Sequence, residues 1–183
     1  MEKTVIDKLY NEFKELLSFL EEGREMSFVN IIDGNLRKTL LMAAASHFED
    51  RFKSIIENFA KEASDNNALL IEFVKNKAIS RQYHTYFDWK SRNANKFFAL
   101  FGKTFKSQME SQIENDDELD KAVKAFIEIG SERNRLVHDD FGAFPIEKTT
   151  KEIYELYQNA SIFIDKFPLK LKEVLSTNNR IND

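Results

Sequence analysis

Apolar residues recur every three or four positions along most of this chain, which is the spacing of amphipathic helices. The first stripe, in residues 4–22, consists of Val5, Leu9, Phe13, Leu16, Leu17 and Leu20. It predicts a helix that ends near Gly23, followed by the short link GREMSFVNIIDGN. Residues that commonly cap helices then occur from Asp33 to Asn35, and they predict a second, long helix that reaches about Ala63.

The middle of the chain predicts shorter elements. The polar run SDNN at 64–67 offers a cap for a third helix that reaches about Ala78. We expect an irregular polar and aromatic stretch at 80–91. Two helical pieces follow it, at 92–101 and 103–114, with Gly102 between them.

Two further long helices are predicted in the last third of the chain. Asn115 or Asp116 caps the first of them, and Gly142 and Pro145 end it. The second covers residues 146–166. Pro168 is expected to separate it from a short amphipathic segment that reaches about residue 175, and the last residues, 176–183, are expected to be frayed.

These elements together predict an all-α protein, a bundle of four longer helices with short helical insertions. We expect one domain, in which 1–34 form the N-terminal helix and link, 35–166 the core bundle and 167–183 the C-terminal helix and frayed tail. Only 5 glycines and 2 prolines occur in 183 residues, and this scarcity of turn formers also favours a helical fold.

Composition excludes several classes of function. The chain has no cysteine, which rules out disulfides, thiolate metal sites and cysteine nucleophiles. With a net charge of −4, the chain lacks the positive electrostatic field of a typical DNA-binding protein. No signal peptide and no apolar run of about 18 residues is apparent, so we expect a cytoplasmic protein that does not enter a membrane. The 17 phenylalanines lie mostly at helical spacing and predict an aromatic core.

The most unusual stretch is GSERNRLVHDDFGAFP at 130–145, where charged residues end an apolar helix. Cationic side chains near a helix C-terminus stabilise its dipole, which is one explanation. A phosphate site is the other, since an arginine fork fits phosphate oxygens and histidine transfers protons near neutral pH. Arg133 and His138 are five residues apart and diverge by about 140° on a helix. They would therefore converge only if the helix ended before His138, or if they came from different subunits.

The same residues carry a family resemblance. RNRLVHDDFG is similar to the signature of the HEPN superfamily, in which an arginine with a polar neighbour precedes a histidine by four to six residues; here these are Arg133, Asn134 and His138. The helix LRKTLLMAAASHFEDRFKSII, with Glu49 inside it, and the stretch WKSRNANKFFALFG at 89–102 resemble stand-alone prokaryotic HEPN proteins of the MAE-28990 and RiboL-PSP-like kind. The similarity spans about residues 35–165.

The resemblance implies a metal-independent endoribonuclease with no cofactor, from a toxin or antiviral defence module. HEPN ribonucleases pair as homodimers, and the motif helices of two chains form one composite site. The resemblance gives His138 a role in proton transfer, Arg133 a role in holding the phosphate, and Asn134 a supporting role. The products would be 2′,3′-cyclic phosphate and 5′-hydroxyl ends. A neighbouring antitoxin or another defence protein is an expected partner.

Two departures leave an alternative open. Val137 replaces the usual small residue before the histidine, and Asp139 and Asp140 place two carboxylates beside a site meant for phosphate. Carboxylates repel RNA. The alternative is a non-catalytic HEPN module that binds RNA or a protein partner through the same cleft.

Other candidates support the motif. Arg135 lies close to it, and Glu49 either pairs with Lys53 on the surface or orients an arginine of the motif. In the basic segment around Trp89, we expect Arg92 and Lys96 to contact the RNA backbone. His47 and His84 are assigned to structure, because no zinc-binding pattern such as HExxH surrounds them.

Overall fold

The computed structural model describes residues 3–179, with side chains as far as Ser176. Helices are the only regular structure in this range, which confirms the predicted all-α class. They are α1 (Val5–Glu22), α2 (Met26–Ala63), α3 (Ala68–Val74), α4 (Tyr83–Tyr86), α5 (Asn95–Phe98), α6 (Lys103–Glu114), α7 (Asp117–His138) and α8 (Thr150–Asn179). No helix within 3–179 has both the length and the apolarity that a bilayer crossing requires.

The first helix begins and ends as predicted. Thr4 and Asp7 form a reciprocal cap: the Thr4 hydroxyl accepts from the Asp7 amide at 3.1 Å, and the Asp7 carboxylate accepts from the Thr4 amide at 2.7 Å. These bonds satisfy two amide groups that the first helical turn leaves without a helical partner. Gly23 follows the last turn.

The predicted start of the second helix was wrong. Helix α2 begins at Met26, so most of the expected link at 23–35 is helical. The polar side chains that suggested a cap act elsewhere. Asp33 forms an ion pair with Arg37 one turn on, and it accepts a hydrogen bond at 2.9 Å from the hydroxyl of Thr150, at the start of α8.

The shorter elements lie close to their predicted places. Asn67 caps α3 by accepting from the amide of Leu70 at 3.1 Å, and α3 continues into a π-helical turn at Lys75–Ile79. Helix α4 lies inside the stretch that was expected to be irregular. Helix α5 passes into a 3₁₀ turn, and Gly102, with φ 98°, separates that turn from α6 as expected.

Asp116 caps α7 as predicted, and its carboxylate accepts from the amide of Leu119 at 3.0 Å.

The prediction for α8 was wrong at both ends. The helix begins at Thr150 and continues without a break through Asn179, with Pro168 inside it. Phe167 and Leu171 on either side of the proline are buried, and their packing holds the two halves together. Residues 180–183 of the expected frayed tail lie outside the described residues.

Phenylalanine rings fill the centre of the bundle, which confirms the predicted aromatic core. The fully buried ones are Phe48, Phe52, Phe87, Phe97, Phe98, Phe126, Phe163 and Phe167. Phe52 of α2 lies at their centre, with its ring 5.0 Å from that of Phe126 on α7 and 5.8 Å from that of Phe163 on α8. Packing in this core holds α7 against α2 and α8. One face of α7 therefore lies next to the segment between α3 and α5.

Candidate functional site

The C-terminal half of α7 forms one wall of a cleft of about 490 Å³. Residues of α7 face it at steps of three and four, as expected for one side of a helix. The facing wall comes from α2 and from the segment between α3 and α5. The lining residues are Ala45, Phe48, Glu49, Arg81, Tyr83, His84, Trp89, Phe126, Ile129, Gly130, Arg133, Asn134, Val137 and His138.

Arg133 and His138 line this one cleft although α7 is continuous through His138. The cleft is wide enough to include side chains that point apart by about 140° around the helix. Lining one cleft does not mean that the two side chains meet at one point, so the expectation that they converge only after a helix break or across two subunits stays a prediction. One chain brings Arg133, Asn134 and His138 to the same cleft.

Asn134 holds the arginine of the motif. The Arg133 guanidinium donates a hydrogen bond at 3.1 Å to the side-chain oxygen of Asn134. That bond uses the acceptor end of the amide, and the amide nitrogen of Asn134 makes no hydrogen bond among the described residues. Arg133 is half-buried. The pair therefore presents donors from both side chains on the wall of the cleft, which suits an anionic group.

The two aspartates after the motif lie outside the set of lining residues. The amide of Asp139 closes the last turn of α7 by donating to the carbonyl of Arg135 at 2.9 Å. Asp140 turns the chain, and its carboxylate accepts from the amide of Gly142 at 3.0 Å. Lys38 of α2 fixes this turn, donating to the carbonyls of Phe141 and Gly142 at 2.6 and 3.1 Å.

Glu49 reaches the cleft from α2. Its carboxylate pairs with Lys53 at 2.5 Å, and no ion pair joins it to Arg133 or Arg135 among the described residues. Tyr83 lies near both Glu49 and Arg133. Burial and the charge of Glu49 raise the pKa of the Tyr83 phenol, and the charge of Arg133 acts in the opposite direction. The phenol is therefore a neutral group between an anion and a cation.

Trp89 closes one side of the cleft. Its ring lies against the backbone of Gly130, where a Cβ would be only 1.9 Å from the ring carbon Cζ3. The indole N–H donates to the carbonyl of His84 at 3.0 Å, and the ring centroid lies 4.9 Å from that of Phe87. Trp89 thus links α7 to the turn that carries His84.

Sequence reasoning missed part of this cleft. Arg81, Tyr83, His84 and Trp89 line it, and His84, which we had assigned to structure, is exposed on its wall. Arg81 has a φ of 60°, a left-handed conformation that is uncommon outside glycine. The sequence RQYHTYFDW is rich in polar and aromatic residues, which was the available signal, but it has no helical period.

A comparison with protein-family models gives a match to one HEPN family, RiboL-PSP-HEPN, over residues 7–173. The chain belongs to the RiboL-PSP-HEPN family. Comparisons with curated proteins and with solved structures gave no match. Membership of RiboL-PSP-HEPN is compatible with ribonuclease activity.

Three predicted site residues of this RiboL-PSP-HEPN chain lie outside the cleft. Arg135 is exposed, pairs with Glu132 at 2.8 Å and lies over the ring of Phe144. Arg92 lines a neighbouring groove, which shares Trp89 with the cleft. Lys96 is exposed on α5 and lines neither. His47 packs beside Phe48 and Tyr157 in the core region, as its assignment to structure implied.

Within the described residues, no three histidine, aspartate or glutamate side chains form a group that could hold a metal ion.

Proposed function

We propose that this RiboL-PSP-HEPN protein is an endoribonuclease that cuts RNA through the 2′-hydroxyl without a metal ion. The observation that carries the proposal is the presence of Arg133, Asn134 and His138 on the wall of one cleft. The three supply a fixed cation, a polar donor and a proton-transfer group. The cleft, at about 490 Å³, is of the size that ordinary ligand sites have.

The reaction needs two proton transfers. A base removes the proton of the 2′-hydroxyl, and this oxygen then attacks the adjacent phosphorus. The bond from phosphorus to the 5′-oxygen breaks, and the 5′-oxygen takes a proton from an acid. The products are a 2′,3′-cyclic phosphate and a free 5′-hydroxyl. The base then loses its proton to water and the acid regains one from water, which restores both groups for the next reaction.

The residues of the motif divide these tasks. His138 is exposed at the cleft and transfers a proton. The Arg133 fork binds the phosphate and stabilises the charge that develops on its oxygens. Asn134 holds that fork by its side-chain oxygen and offers its amide nitrogen to the phosphate. Glu49 shapes the electrostatics of the cleft from the facing wall, where it pairs with Lys53.

We further propose that two chains pair with their α7 ends together. Val137, which lines the cleft, and Phe141, in the turn after α7, are 47% and 51% exposed, which leaves apolar surface at the end of α7. A second copy would cover that surface and enclose the RNA between two motifs. A toxin or defence effector of this kind acts in the cytoplasm, and we propose that an antitoxin or another defence protein holds it in check.

The test is to incubate wild type and His138→Ala with total RNA in EDTA and to analyse the fragment ends. We expect the wild type to leave cyclic phosphate ends, and His138→Ala to remain folded and cut at least about 100-fold more slowly. Arg135→Ala is the control, since Arg135 lies on the same helix but outside the cleft.

The alternative function, a HEPN module that binds RNA without cutting it, gives a different result. The exposed carboxylates of Asp139 and Asp140 favour it, because beside His138 they oppose the close approach of a phosphate that cleavage requires, whereas binding through Arg133 requires no such approach. In that case RNA stays intact with the wild type, and Arg133→Ala lowers RNA affinity while His138→Ala changes it little.

A further inference from the structure

The cleft carries a second arginine and histidine, on the wall that faces α7. Arg81 and His84 come from the segment between α3 and α5, and both line the cleft with Arg133 and His138. The family motif includes neither of them. One chain therefore places two cation and imidazole pairs around the same space.

The imidazole of His84 has no structural task among the described residues. It is exposed, and it makes no hydrogen bond or ion pair there. Only the backbone of His84 is bound, because its carbonyl accepts from the indole of Trp89 at 3.0 Å. The side chain is thus available to a ligand in the cleft.

The turn that carries His84 is nevertheless fixed. The ring of Tyr83 packs 5.9 Å from that of Phe87, and the hydroxyl of Tyr86 donates to the carbonyl of Ala78. Tyr86 and Phe87 are buried. The anchored turn fixes the backbone of His84 at the wall of the cleft, which keeps its exposed imidazole within reach of a ligand bound there.

We propose that His84 performs one of the two proton transfers of RNA cleavage and that His138 performs the other. The inference rests on the proposed ribonuclease function. The proton that leaves the 2′-hydroxyl goes to one imidazole, and the proton that reaches the departing 5′-oxygen comes from the other. Each chain of the proposed dimer then holds both groups, so the assignment does not require His138 of the second copy to supply one of them.

A substrate with sulfur in place of the 5′-oxygen at the scissile bond tests this assignment. A thiolate leaves without a proton, so such a substrate no longer needs the acid, while the base is still needed. We expect His84→Ala and His138→Ala each to cut ordinary RNA at least about 100-fold more slowly than the wild type. With the sulfur substrate, one of the two variants should recover nearly the wild-type rate and the other should not.

Two controls separate proton transfer from a loss of structure. Gln82→Ala changes the same turn at a residue outside the cleft lining, and it should cut at the wild-type rate. His84→Gly with added imidazole should regain part of the lost rate, since free imidazole can replace the missing proton-transfer group but cannot repair a distorted turn.

The results have distinct meanings. If His84→Ala cuts ordinary RNA as fast as the wild type, the role of His84 is overturned and the ribonuclease proposal stands. The same holds if the sulfur substrate rescues both variants or neither. If the wild type leaves RNA intact, both proposals fail together.

Discussion

The ring of Trp89 occupies the space that a side chain on Gly130 would need: a Cβ there would lie 1.9 Å from Cζ3 and 2.2 Å from Cε3. Gly130 is in the middle of α7, where glycine costs about 1 kcal/mol relative to alanine. The close approach of the indole explains why a glycine is needed at this point of the helix. It also couples the shape of the cleft to a single position on α7.

Gly130→Ala should destabilise the protein and disturb the cleft. The new methyl group would displace Trp89, whose indole also holds the His84 carbonyl. Overpacking of this kind costs about 1–3 kcal/mol, and the gain in helix propensity offsets only part of it. Urea unfolding should show the loss.

Gly34→Ala is the matched control for that change. Gly34 also lies inside a helix, α2, and no atom comes within 4 Å of a Cβ placed there. The same substitution should therefore raise the free energy of unfolding, by about 0.5–1 kcal/mol. A loss of stability in both variants, or in neither, would contradict this account of Gly130.

Arg92→Ala should weaken RNA binding more than Lys96→Ala does. Arg92 lines the groove that adjoins the cleft across Trp89, whereas Lys96 is exposed on α5 away from both. If Arg92 contacts one phosphate, its loss should reduce the slope of log affinity against log salt by about 1. Titrations with a 2′-O-methyl RNA, which cannot be cut, measure this slope.

Equal effects of the two substitutions would mean that RNA does not follow the groove beside Trp89. The comparison is well matched because both residues are exposed cations, four positions apart in one segment of the chain.

The successes and failures of sequence reasoning have physical causes. Helices α1 and α7 were predicted well because each has a clear apolar stripe and a local end signal, Gly23 after α1 and Asp116 before α7. The start of α2 was missed because Asp33 does not cap a helix. It accepts a hydrogen bond from Thr150, 117 positions away, and local sequence patterns carry no information about such a contact. Only one wall of the cleft was predicted, for the same reason. The motif on α7 can be read from the sequence, but only tertiary packing shows that His84 faces the same cleft.

His47 should make the protein less stable in acid. Burial lowers its pKa from the ordinary 6.5, and the charge of Arg51 lowers it further, while Asp50 and Asp7 oppose the shift. Its Nε2 is buried without a hydrogen-bond partner among the described residues. The unfolded chain then binds the proton more tightly than the folded one, so stability is complete above pH 6.5 and falls as the pH drops through the lowered pKa.

The corresponding experiment measures unfolding of wild type and His47→Leu at pH values on both sides of 6.5. The leucine variant should lose less stability on acidification than the wild type. His84→Gln serves as the control, because its ring is exposed and its replacement leaves the contribution of His47 in place. An unchanged pH dependence in His47→Leu would show that other groups cause the acid sensitivity.

Pro168→Ala should stabilise the protein. Proline inside a helix lacks an amide donor and crowds the preceding turn, at a cost of about 3 kcal/mol. Helix α8 continues through it, and Phe167 and Leu171 beside it are buried. Alanine keeps that packing and restores the donor, so the unfolding transition should move to higher urea. A lower midpoint would show that the proline sets a bend on which this packing depends.

Trp89 is the only tryptophan in the chain. It borders both the cleft and the groove with Arg92, and its ring is half-buried. Its fluorescence therefore arises from one place in the molecule. The emission of the unlabelled protein is a built-in optical reporter of whether that place is empty or occupied, whatever ligand occupies it.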